Sequence, residues 1–433
     1  MFQRMSARSR GGRVLAVAAV AVLFAVPACS SSDANSAASD VKEIKIGTPL
    51  PLSGPDASLG KDALQGAELA ADIINKGLPG LKLPLANDKG IPNLNHAKFK
   101  IVPADTQGKP ENGATAVNHL VNDEKVDIVA GALESGVTKT AAQQAERLQV
   151  PFVTSISSSP ALTQAGLKWF FRTGPTDVTY AQSFFGLLGE EKKKNIPADK
   201  IALLYMNNTF GTDAANVAKN LAASNGKQIV ADVPFDPAAT DLTSQLQQVR
   251  AADPDTVFVV AYPPTATLFI NATDQLDYMP PAVMAFGAGF INAAFIESAG
   301  DKLEGVSRRV AWSEDLGSRN PASKLVSDEF KKRYKAPMTE NSARVFTTIM
   351  AFAQVFNNAK SVEPDAVRGA LIALDIPGRD TIMPWDGIKF DDQHQNTGAR
   401  AVVEQRLKGQ WKVVYPKDVR SQEIVWPASD ARS

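Results

Sequence analysis

The stretch Val126 to Thr163, VDIVAGALESGVTKTAAQQAERLQVPFVTSISSSPALT, admits few folds. Val126 to Ala130 is an apolar run of strand length, and Gly131 to Gly136 breaks it. Ala141, Ala142, Ala145 and Leu148 then recur at helical spacing, and Val150 to Val153 is a second short apolar run. Strand, polar turn, helix, strand, polar turn is the grammar of a parallel sheet. Both turns then lie at the carboxyl ends of their strands, the edge at which open α/β sheets bind ligands. They carry Glu134, Ser135 and Gly136, then Ser155, Ser157, Ser158 and Ser159. Serine hydroxyls, with free backbone N–H groups at a helix start, hold a small anion such as a carboxylate. Serine is also a preferred helix cap, so each one alone has a purely structural reading.

The same alternation runs through most of the chain. Glu43 to Gly47 reads as a strand, the loop Gly47 to Pro55 is rich in turn residues, and Gly60 to Asn75 is an amphipathic helix. Gly77 to Asn95 is a surface excursion, followed by a strand at Phe99 to Val102 and a helix at Asn112 to Asn122. After Lys168 to Thr173 (KWFFRT) a second βα series begins. Its strands are Ile201 to Tyr205, Ile229 to Val233, Thr256 to Tyr262 and Val283 to Phe286, with helices between them. Helices at Ala322 to Tyr334, Ser342 to Asn358 and Asp365 to Leu374 follow. Lys408-Gly409-Gln410 then joins two β-like segments as a hairpin. Two similar series predict two lobes, with the chain passing from one to the other and back. Such lobes close by hinge bending.

The amino terminus is of a different kind. Arg4, Arg8, Arg10 and Arg13 precede an apolar run from Val14 to Val26, which is an export signal too short to cross a bilayer. Beyond Ala28 there are 42 basic and 46 acidic side chains, so nothing basic suggests a nucleic-acid partner. Cys29 is the single cysteine and directly follows the apolar run, which excludes an intramolecular disulfide. Val26-Pro27-Ala28-Cys29 resembles the lipobox of bacterial lipoproteins, with Pro27 in place of the usual residue. The resemblance implies a lipid-attached Cys29 as first mature residue, on the outer face of the cytoplasmic membrane. Residues 1–28 are then a signal peptide and 29–40, rich in Ser, Ala and Asp, a flexible tether.

Catalytic motifs are missing from the sequence: no GxSxG elbow, no P-loop, no CxxC and no HExxH, with His96, His119 and His394 scattered. Gly287-Ala288-Gly289 is a bare GxG, and Asp105, Asp241 and Asp386 read as caps. No cofactor or metal is expected. An exported amidase or esterase lacks a nucleophile–base pair here. A ligand sensor for a membrane receptor would use the same fold.

Across Lys42 to Pro427 several pieces have a familiar order and spacing: KIGTPLPLSGPDASLGKDALQGAELAADIIN, ADTQGKPENGA, VDIVAGALESGVTKTAAQQAE, VPFVTSISSSPALT, KWFFRT, ATDLTSQLQQVRAADPDTVFVVAY and EGVSR. Together they resemble the type I periplasmic binding proteins of ABC importers, in the leucine/isoleucine/valine-binding branch. The resemblance implies a two-lobed α/β protein with a three-crossover hinge. Residues 41–172 and 313–385 would form the first lobe, and 173–312 and 386–433 the second. Its partners would be a small solute and an ABC permease with its ATPase subunits. Ser135, Ser157 and Ser158 would hold the ligand carboxylate, Leu59 would be an apolar wall, and Phe210 and Tyr262 would close from the second lobe. Where amino-acid binders of the family place a carboxylate for the ligand ammonium, this chain reads Gly287-Ala288-Gly289. Glu134 is either a replacement for that carboxylate or a solvated residue favoured by a helix N-terminus, and the solvated reading is preferred. Within the class the resemblance implies, a small carboxylate such as an amino acid or related organic acid, the departure at Gly287-Ala288-Gly289 points to a carboxylate without an amine, an aromatic or aliphatic acid rather than leucine.

Overall fold

The computed structural model describes residues 41–432; the expected signal peptide, Cys29 and the tether lie outside them. Parallel strands lie in sequence-distant order, each buried by the helix that follows it. The chain begins β1 (Glu43–Leu50), α1 (Ala57–Lys76), β2 (Lys98–Asp105), α2 (Pro110–Asn122), β3 (Ile128–Ala130), α3 (Ser135–Leu148), β4 (Phe152–Thr154), α4 (Ala161–Gln164) and β5 (Phe170–Arg172). These strands form one parallel sheet in the order β2-β1-β3-β4-β5. Strands buried on both faces need apolar residues at successive positions, which is why β3 reads IVA and β4 opens with Phe152 and Val153.

A second series continues through α5 (Asp177–Lys193), β6 (Lys200–Met206), α6 (Thr209–Ser224), β7 (Gln228–Phe235), α7 (Thr243–Ala251), β8 (Thr256–Val260), α8 (Pro263–Gln275), β9 (Val283–Phe286), α9 (Ala293–Ala299), β10 (Ser307–Val310) and α10 (Glu314–Gly317). The chain then returns to the first lobe with α11 (Pro321–Tyr334), α12 (Glu340–Ala359), α13 (Pro364–Ile372), β11 (Asp375–Pro377) and β12 (Gly387–Lys389). It ends in the second lobe with β13 (Val402–Leu407) and β14 (Gln410–Tyr415), which extend that sheet as an antiparallel hairpin. The second sheet runs β14-β13-β10-β9-β8-β6-β7.

Separate apolar clusters define the lobes. α1, α12 and α13 cover one face of the first sheet through Ala67, Ile74, Phe346, Ile349 and Leu371, and α2 and α3 cover the other through Val117, Leu120 and Ala142. α1 and α12 approach so closely that a Cβ on Gly66 would fall 2.3 Å from the Ser342 carbonyl oxygen, so only glycine fits there. The second cluster is aromatic, with Phe184, Phe185, Phe258 and Phe286 in mutual edge or tilted contact.

The packing changes hands a few residues away from the expected borders. Ile388 and Ala399 belong to the first-lobe cluster, beyond residue 385, while Leu316 packs with second-lobe residues Val402 and Val413. The first and last crossovers are laced together. Arg172 N–H donates to His394 O at 2.9 Å, Asn396 N–H to Arg172 O at 2.9 Å, and the Asn396 amide to Thr173 O at 2.9 Å. Trp385 Nε1 donates to Ala311 O at 3.1 Å, tying the middle crossing to this pair. Of the aspartates expected as caps, Asp105 and Asp241 accept local backbone N–H groups, whereas Asp386 instead pairs with Arg400. It is no cap because it lies in the turn just before β12, with no helix after it to cap.

Candidate functional site

Both serine turns open on the same edge of the first sheet, as consecutive parallel strands require. α3 begins at Ser135, with extended backbone at Glu134, so its first N–H groups face the gap between the lobes. The second turn follows β4 and is shaped from behind by Arg172. This guanidinium is wholly buried and donates to Ser157 O (3.1 Å), Ser159 O (2.7 Å), the Thr163 hydroxyl (2.8 Å) and Gln395 Oε1 (2.7 Å). The Ser157 hydroxyl donates to Leu133 O at 2.9 Å and is in contact with the Thr138 hydroxyl. It therefore joins the two turns to each other, and its hydroxyl is engaged within the first lobe.

Ser135, Ser157, Ser158, Phe210 and Tyr262 line one cavity together with Ala288, Ile291, Arg309 and Arg344; Leu59 does not, being buried in the first-lobe core. Phe210 and Tyr262 stack on each other with centroids 5.4 Å apart and form the second-lobe wall. Tyr262 faces Ser135 across this cavity. Other contacts also bridge the gap: Asn292 Nδ2 donates to the Ser58 hydroxyl at 2.8 Å, and the Ser159 hydroxyl bonds to Asp213 on α6. The lobes are shut, leaving a cavity of about 20 Å³, room for about one water. A solute the size of an amino acid enters only when they part. A larger open groove of about 740 Å³, lined by Arg308, Trp312, Glu404 and Trp411, meets this cavity only at Ile291.

The arginines are what sequence reasoning missed. Arg344 lies on α12, on the stripe it shares with Glu340, Asn341, Thr347 and Thr348, and donates to the Tyr180 hydroxyl at 2.9 Å and to Asn341 Oδ1 at 3.0 Å. Arg309, on β10, stacks on Tyr180 with its guanidinium carbon 3.5 Å from the ring centroid. Glu340 sits between them, 3.3 Å from Arg344 and 3.7 Å from Arg309. The signal that could have found Arg344 is Glu340, four residues before it on a helix otherwise free of charge, since arginine is almost never buried without a partner. Gly287 makes room for Arg309: its φ is +43°, and a Cβ would lie 2.6 Å from that guanidinium.

Buried carboxyls complete the electrostatics. Asp177, at the start of α5, is fully buried beneath Ser158, whose carbonyl accepts its N–H at 2.8 Å. Burial pushes its carboxyl up to about 6, against the pull of Arg309 and then Arg172. Glu134 corrects the solvated reading. It is 4% exposed, and neither of its carboxyl oxygens has a hydrogen-bond partner. Burial first, then the neighbouring Asp56, push it up to about 8; burial raises Asp56 itself to about 6. The turn is buried because Gly108 packs against it: a Cβ there would lie 3.0 Å from Glu134 Oε1 and 3.5 Å from Asp56 Oδ2.

The periplasmic binding protein family model matches residues 43–410. The chain belongs to that family. This periplasmic binding protein is 25% identical over 417 residues to Leu/Ile/Val-binding protein homolog 7 of Brucella suis, covering 94% of this chain and 98% of the relative. Its fold matches that of the branched-chain amino acid transporter substrate-binding protein LivJ of Streptococcus pneumoniae, in complex with isoleucine, with a TM-score of 0.72, 22% identity and coverage of 87% of this chain and all of that one (100%). It also matches a solute-binding protein of an ABC transporter from R. palustris in complex with benzoate, with a TM-score of 0.71, 18% identity and coverage of 86% and 95%. The periplasmic binding protein thus has the type I fold, two α/β lobes with helix-flanked, mostly parallel sheets. The relatives and solved structures it resembles are Leu/Ile/Val-binding protein homologues and substrate-binding proteins of ABC transporters.

Proposed function

We propose that this chain is a lipid-anchored solute-binding protein, not an enzyme. It captures a small carboxylate-bearing solute by hinge closure and hands it to an ABC permease driven by ATPase subunits. The observation that carries the reading is the convergence of Ser135, Ser158, Arg309 and Arg344 from both lobes on one buried cavity. Hydroxyls, a helix N-terminus and guanidiniums all favour an anion, and outside water each counts for more. Phe210 and Tyr262 supply the apolar lid, and Ser157 holds the two turns in register. Because the solute touches both lobes only when they are shut, it favours the shut state by its differential affinity.

Ser135→Ala with Ser158→Ala should weaken binding of the best carboxylate in a thermal-shift panel roughly 10- to 100-fold, read by titration calorimetry, since two polar contacts at about 1 kcal/mol or more are lost. Unchanged affinity removes the carboxylate assignment. Anchoring has its own test. Cys29→Ala should move the protein from the membrane fraction to the soluble exported fraction; a variant that stays membrane-bound ends the lipoprotein reading.

A further inference from the structure

The larger groove beside the solute cavity has chemistry of its own. The β13-β14 hairpin builds one of its walls. Alternation along β13 puts Glu404 and Arg406 on one face, and the ladders set Trp411 opposite Arg406 and Arg308 opposite Glu404. Arg308 is fully committed: it donates to Glu404 Oε2 at 2.9 Å and to Phe290 O at 2.8 Å, and its guanidinium carbon lies 3.8 Å from the Trp411 ring centroid. The Ser313 hydroxyl takes up the other Glu404 oxygen. Arg406 is different. Its side chain is 16% exposed, its ion-pair partner Glu304 is 3.8 Å away, and its guanidinium makes no hydrogen bond among the described residues. The Trp411 indole N–H beside it has no partner either. Both side chains only donate, so neither can serve the other, and what this pair lacks is an acceptor. Covered groups of this kind normally have one.

The remaining charges do not supply it. Asp315 accepts from the Val413 N–H and the Ser421 hydroxyl, and Glu340 is paired with Arg344 and Arg309. Glu297 and Glu314 are exposed, where water and salt screen them. Ile296 on α9, Val310, Trp312 and, from the first lobe, Met338 give the groove an apolar lining. Its volume of about 740 Å³ is that of a small-molecule site and far exceeds the closed solute cavity.

We propose that this groove is a second binding site, for an organic anion with a bulky apolar body: Arg406, beside Trp411, holds the acidic group, and Trp312, Ile296 and Met338 receive the body. None of these residues holds the solute in the carboxylate reading above, so the two sites stand or fall separately.

The test is calorimetric titration of the full chain at pH 7 with three probes of one shape, naphthalene-2-sulfonate, 2-naphthylmethanol and 2-naphthylmethylammonium. The sulfonate should bind roughly 10-fold more tightly than the other two, as a hydrogen bond to a charged group requires, and Arg406→Gln should remove that preference. Ile296→Trp, which fills the groove from the opposite wall and leaves Arg406 in place, should abolish binding. Ser135→Ala with Ser158→Ala should leave it unchanged. Three probes that bind alike or not at all, or a preference that survives in Arg406→Gln, overturn the anion site. Loss of sulfonate binding in the double serine variant overturns it as well, because the probe then occupies the solute cavity. Circular dichroism and the unfolding midpoint of each variant separate lost binding from lost folding.

Discussion

Glu134→Gln should become more stable than the parent protein as pH rises from about 5 to 8, with little difference at the acid end. The folded carboxyl titrates at about 8 and the unfolded one at 4.5, so between those values the folded chain holds a proton that the unfolded chain has released. Stability of the parent therefore falls with rising pH across this window, by at most about 1.4 kcal/mol per pH unit. Glutamine has the same shape and cannot ionise, so the variant escapes that slope. Near pH 7 the accumulated difference is about 3 kcal/mol. Asp56 titrates at about 6 in the fold and adds a slope of the same sign, which remains in the variant. The charged group acting on Glu134 is Asp56, and the Tyr262 hydroxyl feels both; neither is cationic. Urea unfolding at several pH values measures the effect; parallel stability curves for the two proteins would rule out a buried, proton-holding Glu134.

Arg172→Met is the second large effect. The guanidinium makes four hydrogen bonds, to Ser157 O, Ser159 O, Thr163 and Gln395, and it helps to hold the charge of Asp177. Methionine fills much of the volume and replaces none of these. Leaving those acceptors buried and bare, with Asp177 short of one guanidinium, should cost about 3–5 kcal/mol in the unfolding free energy. The remaining folded protein should bind its solute at least 10-fold more weakly, because the second serine turn loses the prop that aims Ser158. Arg172→Lys should rescue little: one ammonium cannot span acceptors on two sides of a planar fork. A midpoint within about 0.5 kcal/mol of the parent would show that the turn holds its shape without this side chain.

The architecture was legible because parallel strands buried on both faces write their apolar runs plainly. Ile201 to Tyr205 and Thr256 to Tyr262 are uninterrupted, and the helices between them repeat at helical spacing. The serine turns were legible for the same reason, since their place at the strand ends follows from the βαβ unit. What was not legible depends on contacts between distant segments. Leu59 is an apolar residue in a loop-to-helix turn, and only the packing of α1 against the rest of the first lobe decides that it faces the core. Glu134 read as a solvated helix-start acid because nothing near it in sequence reveals that Gly108, 26 residues earlier, closes over it. Arg309 and Arg344 come from a strand and a helix that meet at the cleft only after the chain has crossed between lobes.

Gly287 carries a further implication for how the empty protein behaves. By omitting a side chain it admits Arg309 to the closed cleft, where the guanidiniums of Arg309 and Arg344 flank the Glu340 carboxylate. Shutting brings Arg309 and Arg344 together with the Glu340 carboxylate in a small dry space, where their pairing counts for more than it does in water. A methyl group at this one position would act as a wedge against Arg309 and leave the cleft harder to shut.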